Sequence, residues 1–417
     1  MRLLPPSTSK RMPDLDVLRG IAIALVLFIH APIAFSQTSA TGMVLTTIKN
    51  LGWSGVDLFF VLSGFLISGL LYREYQSTGR IKLGRLLLRR GLKIWPAYYF
   101  VMIGVMVCVT PVESLDGEAG LLFVKRLYWQ LRAYWPYWLF VQNYIGMKGW
   151  EYTWSIAVEE HFYLIFAALL WLLCILCRRG RSVLERPWIP RITLVVCLAA
   201  LVGRVATFLL LENRAYPDVI YKIHYVSHLR LDALLFGTYL GYLYHCRRPV
   251  LERLKPHVGR LFGVSLLLLL PLFIWPQRNS GTGLFFTLGF TLNYLGFGGI
   301  LIACRLVEWS KYTGLVARIG SPACWALRAL GIYSYTIYLT HGCYRELIPK
   351  AWHNAPGSDL QGNFGGVAIY LVYCVVSGVL LSHMIERPIL YCRERLFSTK
   401  VKPGTRPAST QPIVALT

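Results

Sequence analysis

Ten apolar runs, each long enough to cross a bilayer as a helix, recur along this sequence, near residues 17–36, 52–72, 94–112, 156–177, 191–211, 230–246, 260–276, 283–304, 328–348 and 366–386. Hydrocarbon offers no partner to a backbone amide or carbonyl, so a run of this length must satisfy its own hydrogen bonds, as an α-helix does. The fold expected is therefore all-α, a polytopic transmembrane helical bundle of about ten helices. Composition agrees: 55% of the 417 residues are hydrophobic and only 15% are charged, outside the range of soluble domains. Between the third and fourth runs, LYWQLRAYWPYWLFVQNY (127–144) is aromatic and broken by Pro136, and reads as an interfacial or re-entrant piece.

A net charge of +23 would suggest nucleic acid as the partner of a soluble chain. Here the basic residues fall in alternate loops, so topology explains them and no nucleic-acid partner is expected. With the N-terminus in the cytoplasm, roughly 30 of the 43 Lys and Arg lie in cytoplasmic segments and roughly 11 on the opposite side, which leaves Arg19 and Arg204 in the membrane. The basic clusters at 73–93, 178–191, 247–260, 305–328 and 387–406 then share one side, and both termini are expected in the cytoplasm. The chain divides into a cytoplasmic N-terminal segment (1–16), a membrane domain (17–390) and a polar, Pro-rich cytoplasmic tail (391–417) expected to be disordered. The first run resembles a signal peptide in outline, but its long polar lead and the placement of Arg19 and His30 favour an uncleaved helix. No internal repeat and no appended soluble domain are expected. Ten cysteines are scattered, mostly inside apolar runs, and the CxxC of Cys174 and Cys177 has no second pair, so no metal is expected.

Within the first run, LDVLRGIAIALVLFIH (15–30), two polar side chains interrupt an apolar helix. Their spacing amounts to about three turns, so Arg19 and His30 share a face and stand about 16 Å apart along the axis. An Arg inside a spanning helix costs roughly 2.5–3.5 kcal/mol on insertion scales, so it faces protein or water rather than lipid. Arg19 either snorkels to the headgroups or belongs with His30 to a polar stripe that lines a cavity.

Three later stretches carry further polar groups. GWSGVDLFFVLSGFLISGLLY (52–72) has a small-residue face of Gly55, Gly64 and Gly69, suited to close helix contact, and a carboxylate, Asp57, in a spanning helix. In RLLLRRGLKIWPAYYF (85–100), Arg89 and Lys93 share a helix face, as do Arg90 and Lys93. A positive-inside cluster is the default explanation, yet such a face could also hold phosphates, Arg by bidentate contacts and Lys as a point charge. In TWSIAVEEHFYL (153–164), Ser155, Glu159 and Tyr163 recur on one face with Glu160 and His161 beside them. They are interfacial or capping groups, or, on a buried face, candidates for acid–base chemistry.

Taken in order, the Arg19–His30 pair, GVDLFFVLSGF (55–65), RRGLKIWPAYY (89–99) and WSIAVEEHFY (154–163) resemble the acyltransferase 3 family of integral-membrane O-acyltransferases, of the bacterial surface-polysaccharide O-acetylase type. LRLDALLFG (229–237), IYSYTIYLTH (332–341) and IERP (385–388) extend the resemblance over residues 14–390. Lys93 stands where the family pattern often has a second Arg, so a point charge replaces a bidentate contact. Some relatives carry a fused extracytoplasmic esterase-like domain, which is not expected here.

The resemblance implies transfer of an acyl group, commonly acetyl, from cytoplasmic acyl-CoA to a hydroxyl of a cell-surface or exported carbohydrate. The expected partners are acyl-CoA, a carbohydrate acceptor and the lipid bilayer, with no permanently bound cofactor and the bacterial inner membrane as location. Arg19, Arg89, Arg90 and Lys93 would bind the polyanionic acetyl-CoA. His30 would be general base or transient acyl carrier, with Glu159 orienting its imidazole or binding a sugar hydroxyl. Asp57, Ser155 and Tyr163 would form polar wall. His341 is a helix-packing histidine or an acceptor-binding one, while Arg230 and Asp232 are structural or line a channel. A transporter or flippase of a lipid-linked glycan is the alternative reading, disfavoured because no repeat or paired broken helices are visible.

Overall fold

The structure, a computed structural model, describes residues 12–33, 35, 39–109, 119–146, 150–176, 187–212, 214, 216–271, 283–307, 315–344 and 364–397. Among the described residues every regular element is helical. In chain order the main helices are α1 (Pro13–His30), α2 (Ala40–Asn50), α3 (Gly55–Thr78), α4 (Leu83–Val109), α5 (Ala119–Ala133), α6 (Trp154–Leu176), α7 (Trp188–Leu210), α8 (Leu231–Cys246), α9 (Val258–Leu269), α10 (Phe290–Leu306), α11 (Leu315–Ile332), α12 (Ser334–His341), α13 (Phe364–Leu381) and α14 (Arg387–Phe397). Every expected apolar run carries at least part of one of them, so the fold is the helical bundle that the runs imply. The aromatic stretch after α5 is broken as expected, into short turns at Trp135–Trp138 and Gln142–Ile145.

Five described stretches are long and apolar enough to cross a membrane: Ala40–Thr78, Glu151–Leu176, Trp188–Leu210, Phe285–Leu306 and Gly365–Phe397. Several other runs differ from uniform spans for local reasons. α1 begins with Asp14, Asp16 and Arg19, α4 carries Arg85, Arg89, Arg90 and Lys93, and the run at 328–348 breaks at Tyr333 into α11 and α12. At the other end, α13 passes through a wide helical turn (Ser382–Glu386) into α14. Helix thus continues to Phe397, past the point where the disordered tail is expected to begin. Residues 1–11, Cys177 and 398–417 lie outside the described residues. On α7, Leu194, Val195, Leu198, Val202 and Leu209 are all exposed, an apolar outer face suited to lipid.

The ends of the helices follow from their residues. α1 opens on Pro13, whose missing amide is no loss in a first turn, with Asp14 and Asp16 at the positive end of the helix dipole. α3 stops where Gly79 adopts a φ of 65°, its amide donating to the Tyr75 carbonyl at 2.7 Å.

α3 occupies the centre, packed on α1, α6, α8 and α10. The small-residue face expected of it is what permits this. A Cβ on Gly64 would lie 1.9 Å from the Leu234 carbonyl oxygen of α8, and one on Gly237 would lie 2.2 Å from the Val61 oxygen of α3. α1 and α11 meet in the same way, with virtual Cβ distances of 1.9 Å (Gly20 to Leu327 O) and 1.8 Å (Gly331 to Asp16 O). Since backbone cannot yield as a flexible side chain does, Gly64→Leu is expected to destabilise the fold by about 3 kcal/mol or more. Gly84→Ala, with nothing within 4 Å, should be neutral or slightly stabilising. Thermal unfolding in detergent would check the contrast, and equal midpoints would contradict this account of the α3–α8 seam.

Two ion pairs are buried between these helices. Arg204 of α7 meets Asp232 of α8 at 2.6 Å and also donates to the Leu229 carbonyl (2.7 Å), the Thr287 carbonyl (3.1 Å) and Thr291 Oγ1 (2.8 Å). Arg230 donates to Asp57 Oδ1, while Asn293 Nδ2 donates to Asp57 Oδ2 at 3.2 Å. The Arg230 guanidinium also lies 3.6 Å from the centre of the Phe290 ring. Arg230 and Asp232 are therefore structural, each facing a different helix. Asp57 is 1% exposed, both its oxygens are engaged, and it is not among the residues that line the cavity described below.

Candidate active site

His30 closes the last turn of α1 and His341 the last turn of α12. Each ring is fixed by its own helix, His30 Nδ1 to the Val26 carbonyl at 2.8 Å and His341 Nδ1 to the Tyr338 carbonyl at 2.5 Å. A carbonyl only accepts, so Nδ1 carries a proton in both rings, and Nε2 is the nitrogen that holds the lone pair whenever a ring is neutral. The two rings meet edge to face with centroids 4.9 Å apart. His341 is 1% exposed and its Nε2 has no hydrogen-bond partner among the described residues, whereas His30 is exposed to the cavity beside it.

That cavity measures about 450 Å³, and both histidines line it. Trp53, Trp154, Tyr225, Phe285 and Phe286 supply an aromatic wall, a surface on which sugar rings or other flat apolar faces can rest. Behind His341, Tyr338 donates to the Tyr152 carbonyl at 2.5 Å, so Ser155 Oγ donates to the Tyr338 oxygen at 2.7 Å. Ser155 thus belongs to the histidine end of the site. At the cavity edge Glu151 accepts from Tyr221 at 2.5 Å, and this hydrogen bond pushes the exposed phenol up to about 12.

The other end of α1 faces a different environment. Arg19 lies within electrostatic reach of Asp16 first, then of Arg90, Tyr163 and Glu159, and Lys93 within reach of Arg19, Arg90, Glu386 and Arg393. The Arg90 guanidinium rests 5.0 Å from the centre of the Tyr163 ring. Among the described residues, Arg19, Arg89, Arg90 and Lys93 form no ion pair within 4.0 Å, so the cations converge without close carboxylate partners. Like charges so placed repel one another, and the acidic groups of this chamber within electrostatic reach of them are Asp16, Glu159, Glu160, Glu386 and Glu394.

Glu159 belongs to this chamber. Its Oε1 accepts from Ser63 at 3.0 Å and its Oε2 from Tyr163 at 2.6 Å, and no hydrogen bond joins it to His30. The Val26 carbonyl engages Nδ1 of the His30 imidazole, while Ser63 and Tyr163 engage the two oxygens of Glu159. Of the other expected residues, His30, His341 and Ser155 gather at one end of α1, and Arg19, Arg90, Lys93 and Tyr163 at the other. Arg89 lies at the chamber edge beside Arg393. Sequence reasoning did not pair Ser63 with Glu159 and left Arg393 in the tail. The helical spacing of 386, 389, 390, 393 and 397, with Ile389, Leu390 and Phe397 as its apolar members, is the signal that would have shown an amphipathic helix there.

Comparison with known proteins places the chain in a family. A Staphylococcus aureus protein provisionally named an O-acetyltransferase is 26% identical over 351 residues, 79% of this chain and 50% of its own. Bacillus subtilis YrhL, provisionally named a peptidoglycan O-acetyltransferase, is 26% identical over 408 residues, 94% of this chain and 56% of its own. Peptidoglycan O-acetyltransferase OatA of Listeria monocytogenes is 26% identical over 360 residues, 80% of this chain and 49% of its own. The chain thus spans about half the length of the curated relatives it matches. The pattern of the acyltransferase domain that defines the acyltransferase 3 family matches residues 12–383, and by that match over nearly its whole length the chain belongs to that family.

Proposed function

We propose that this protein is a membrane O-acyltransferase that moves an acyl group, acetyl first of all, from cytoplasmic acyl-CoA to a hydroxyl of a cell-surface or exported carbohydrate. One observation carries the reading. A single helix, α1, joins a chamber of converging cations to a histidine pair that opens on an aromatic cavity. The chamber suits the phosphates of CoA, and the pantetheine arm spans the distance of about 16 Å to His30. The aromatic cavity suits the acceptor sugar. In the transfer, His30 Nε2 takes the hydroxyl proton as the oxygen attacks the thioester carbonyl. The C–O bond forms, the C–S bond breaks, and the CoA thiolate leaves and is reprotonated. An acyl group resting on His30 Nε2 between two such steps is the covalent variant. The peptidoglycan named for the relatives makes a peptidoglycan sugar hydroxyl the first acceptor to try. The cation chamber lies on the cytoplasmic side of a bacterial inner membrane in this reading.

Inverted membrane vesicles supplied with acetyl-CoA labelled in the acetyl group test it. Label entering glycan in a protein-dependent manner is the expected result. Glycan movement across the vesicle membrane with no label incorporated from any acyl-CoA would replace the enzyme by a transporter. Arg90→Ala and Lys93→Ala are each expected to raise the KM for acyl-CoA about tenfold, the effect of one charge-assisted contact, with kcat changed less. Wild-type KM in both variants would remove these cations from the donor site.

A further inference from the structure

The C-terminal helix reaches back to the cation chamber. Its less exposed positions, Glu386, Ile389, Leu390, Arg393 and Phe397, recur at helical spacing, so they share one face, while Glu394, Arg395 and Leu396 are exposed. The helix is tied to α4 at two points. Arg85 Nη2 donates to the Phe397 carbonyl at 2.8 Å, and Arg393 Nη1 donates to the Arg89 carbonyl at 3.4 Å. The wide turn Ser382–Glu386 inserts an extra residue just before α14, a local distortion of the kind frequent at functional sites. It leaves Glu386 buried, with Ser382 donating to its Oε2 at 2.9 Å, within electrostatic reach of Lys93.

Two features of Arg393 are unexplained by packing. Its Nε is buried with no hydrogen-bond partner among the described residues, and Arg89 and Arg90 repel it while Glu394 and Glu386 attract it. Five cations, Arg19, Arg89, Arg90, Lys93 and Arg393, thus meet four buried acids, Asp16, Glu159, Glu160 and Glu386, an excess of one positive charge. We propose that Arg393 is a further donor-binding residue, contributing a phosphate contact from α14 to the chamber that α1 and α4 begin, and that Glu386 is the internal anion which shields Lys93 until the donor arrives. The proposal rests on the reading of the chamber as the acyl-CoA site. It makes the last helix part of the binding site rather than a surface appendage.

The test is a titration of the full-length protein, in nanodiscs of zwitterionic lipid so that no anionic headgroup competes, with CoA as probe. Arg393→Ala is expected to weaken CoA binding about tenfold, and Arg393→Lys to retain most of the affinity. Arg395→Ala, on the exposed face, should match wild type. Glu386→Gln should bind CoA several times more tightly, an outcome that a purely structural role for α14 does not produce and one that survives if Arg393→Ala fails to fold. Wild-type affinity in both Arg393→Ala and Glu386→Gln would overturn the proposal and leave the donor reading standing. Absence of CoA binding by the wild type would overturn both.

Discussion

His30→Ala is expected to fold normally and to lose acyl transfer by a factor of about 10²–10⁴, the usual contribution of a positioned base, and by more if the imidazole carries the acyl group. The ring stands at the last turn of α1, exposed to the cavity, so its removal leaves no buried void. In the proposed mechanism Nε2 of His30 would meet the acceptor, since the Val26 carbonyl engages Nδ1. Transfer of labelled acetyl by wild-type and variant vesicles containing equal amounts of folded protein would measure the loss. Full activity in the variant would take His30 out of the mechanism. His341→Ala should behave differently, since that ring is 1% exposed and packed against Tyr152 and Tyr338. Its removal opens a void, and stability falls together with activity.

Asp57→Leu should destabilise the folded protein by about 3–5 kcal/mol, the usual result of stranding one member of a buried pair. Arg230 would lose its partner while remaining 1% exposed against the Phe290 ring. Combining Asp57→Leu with Arg230→Met removes the stranded charge and should restore much of the stability, because a buried ion pair replaced by apolar groups of similar size is often neutral. The check is the unfolding midpoint of the two single variants and the double variant in one detergent. If Asp57→Leu unfolds at the wild-type temperature, the pair is not what joins α3 to the turn before α8.

How far the sequence alone reached depended on the range of each interaction. The helices are local, set by run length, and α1 displays both Arg19 and His30 on one face because spacing within a helix is fixed. The glycine face of α3 was readable for the same reason. Glu159 shows the opposite case. Its place on a face of α6 was legible, but its bond to Ser63 joins residues 96 apart in the chain, and nothing in the local pattern says which end of α1 that face meets. Asp57 and Arg230 stand 173 apart, so their buried pairing could not be read from either motif. The meeting of His30 with His341 likewise depends on α12 packing against α1, with a break at Tyr333 that splits an otherwise continuous apolar run. Arg393 was hidden by composition: a polar stretch near the end reads as tail unless its spacing is compared with a helix.

α1 bears both halves of the proposed site and is seated against α11 with no room for even a methyl group at Gly20 or Gly331. Two stations built on one rigid rod keep a constant separation, so the proposed chemistry needs no rocking of one half of the protein against the other. The nucleotide with its charges would stay where it docks, and only a neutral two-carbon fragment would change sides. Such a crossing is electrically silent. Its rate should be indifferent to the voltage across the membrane, which sets it apart from any process that carries an anion through.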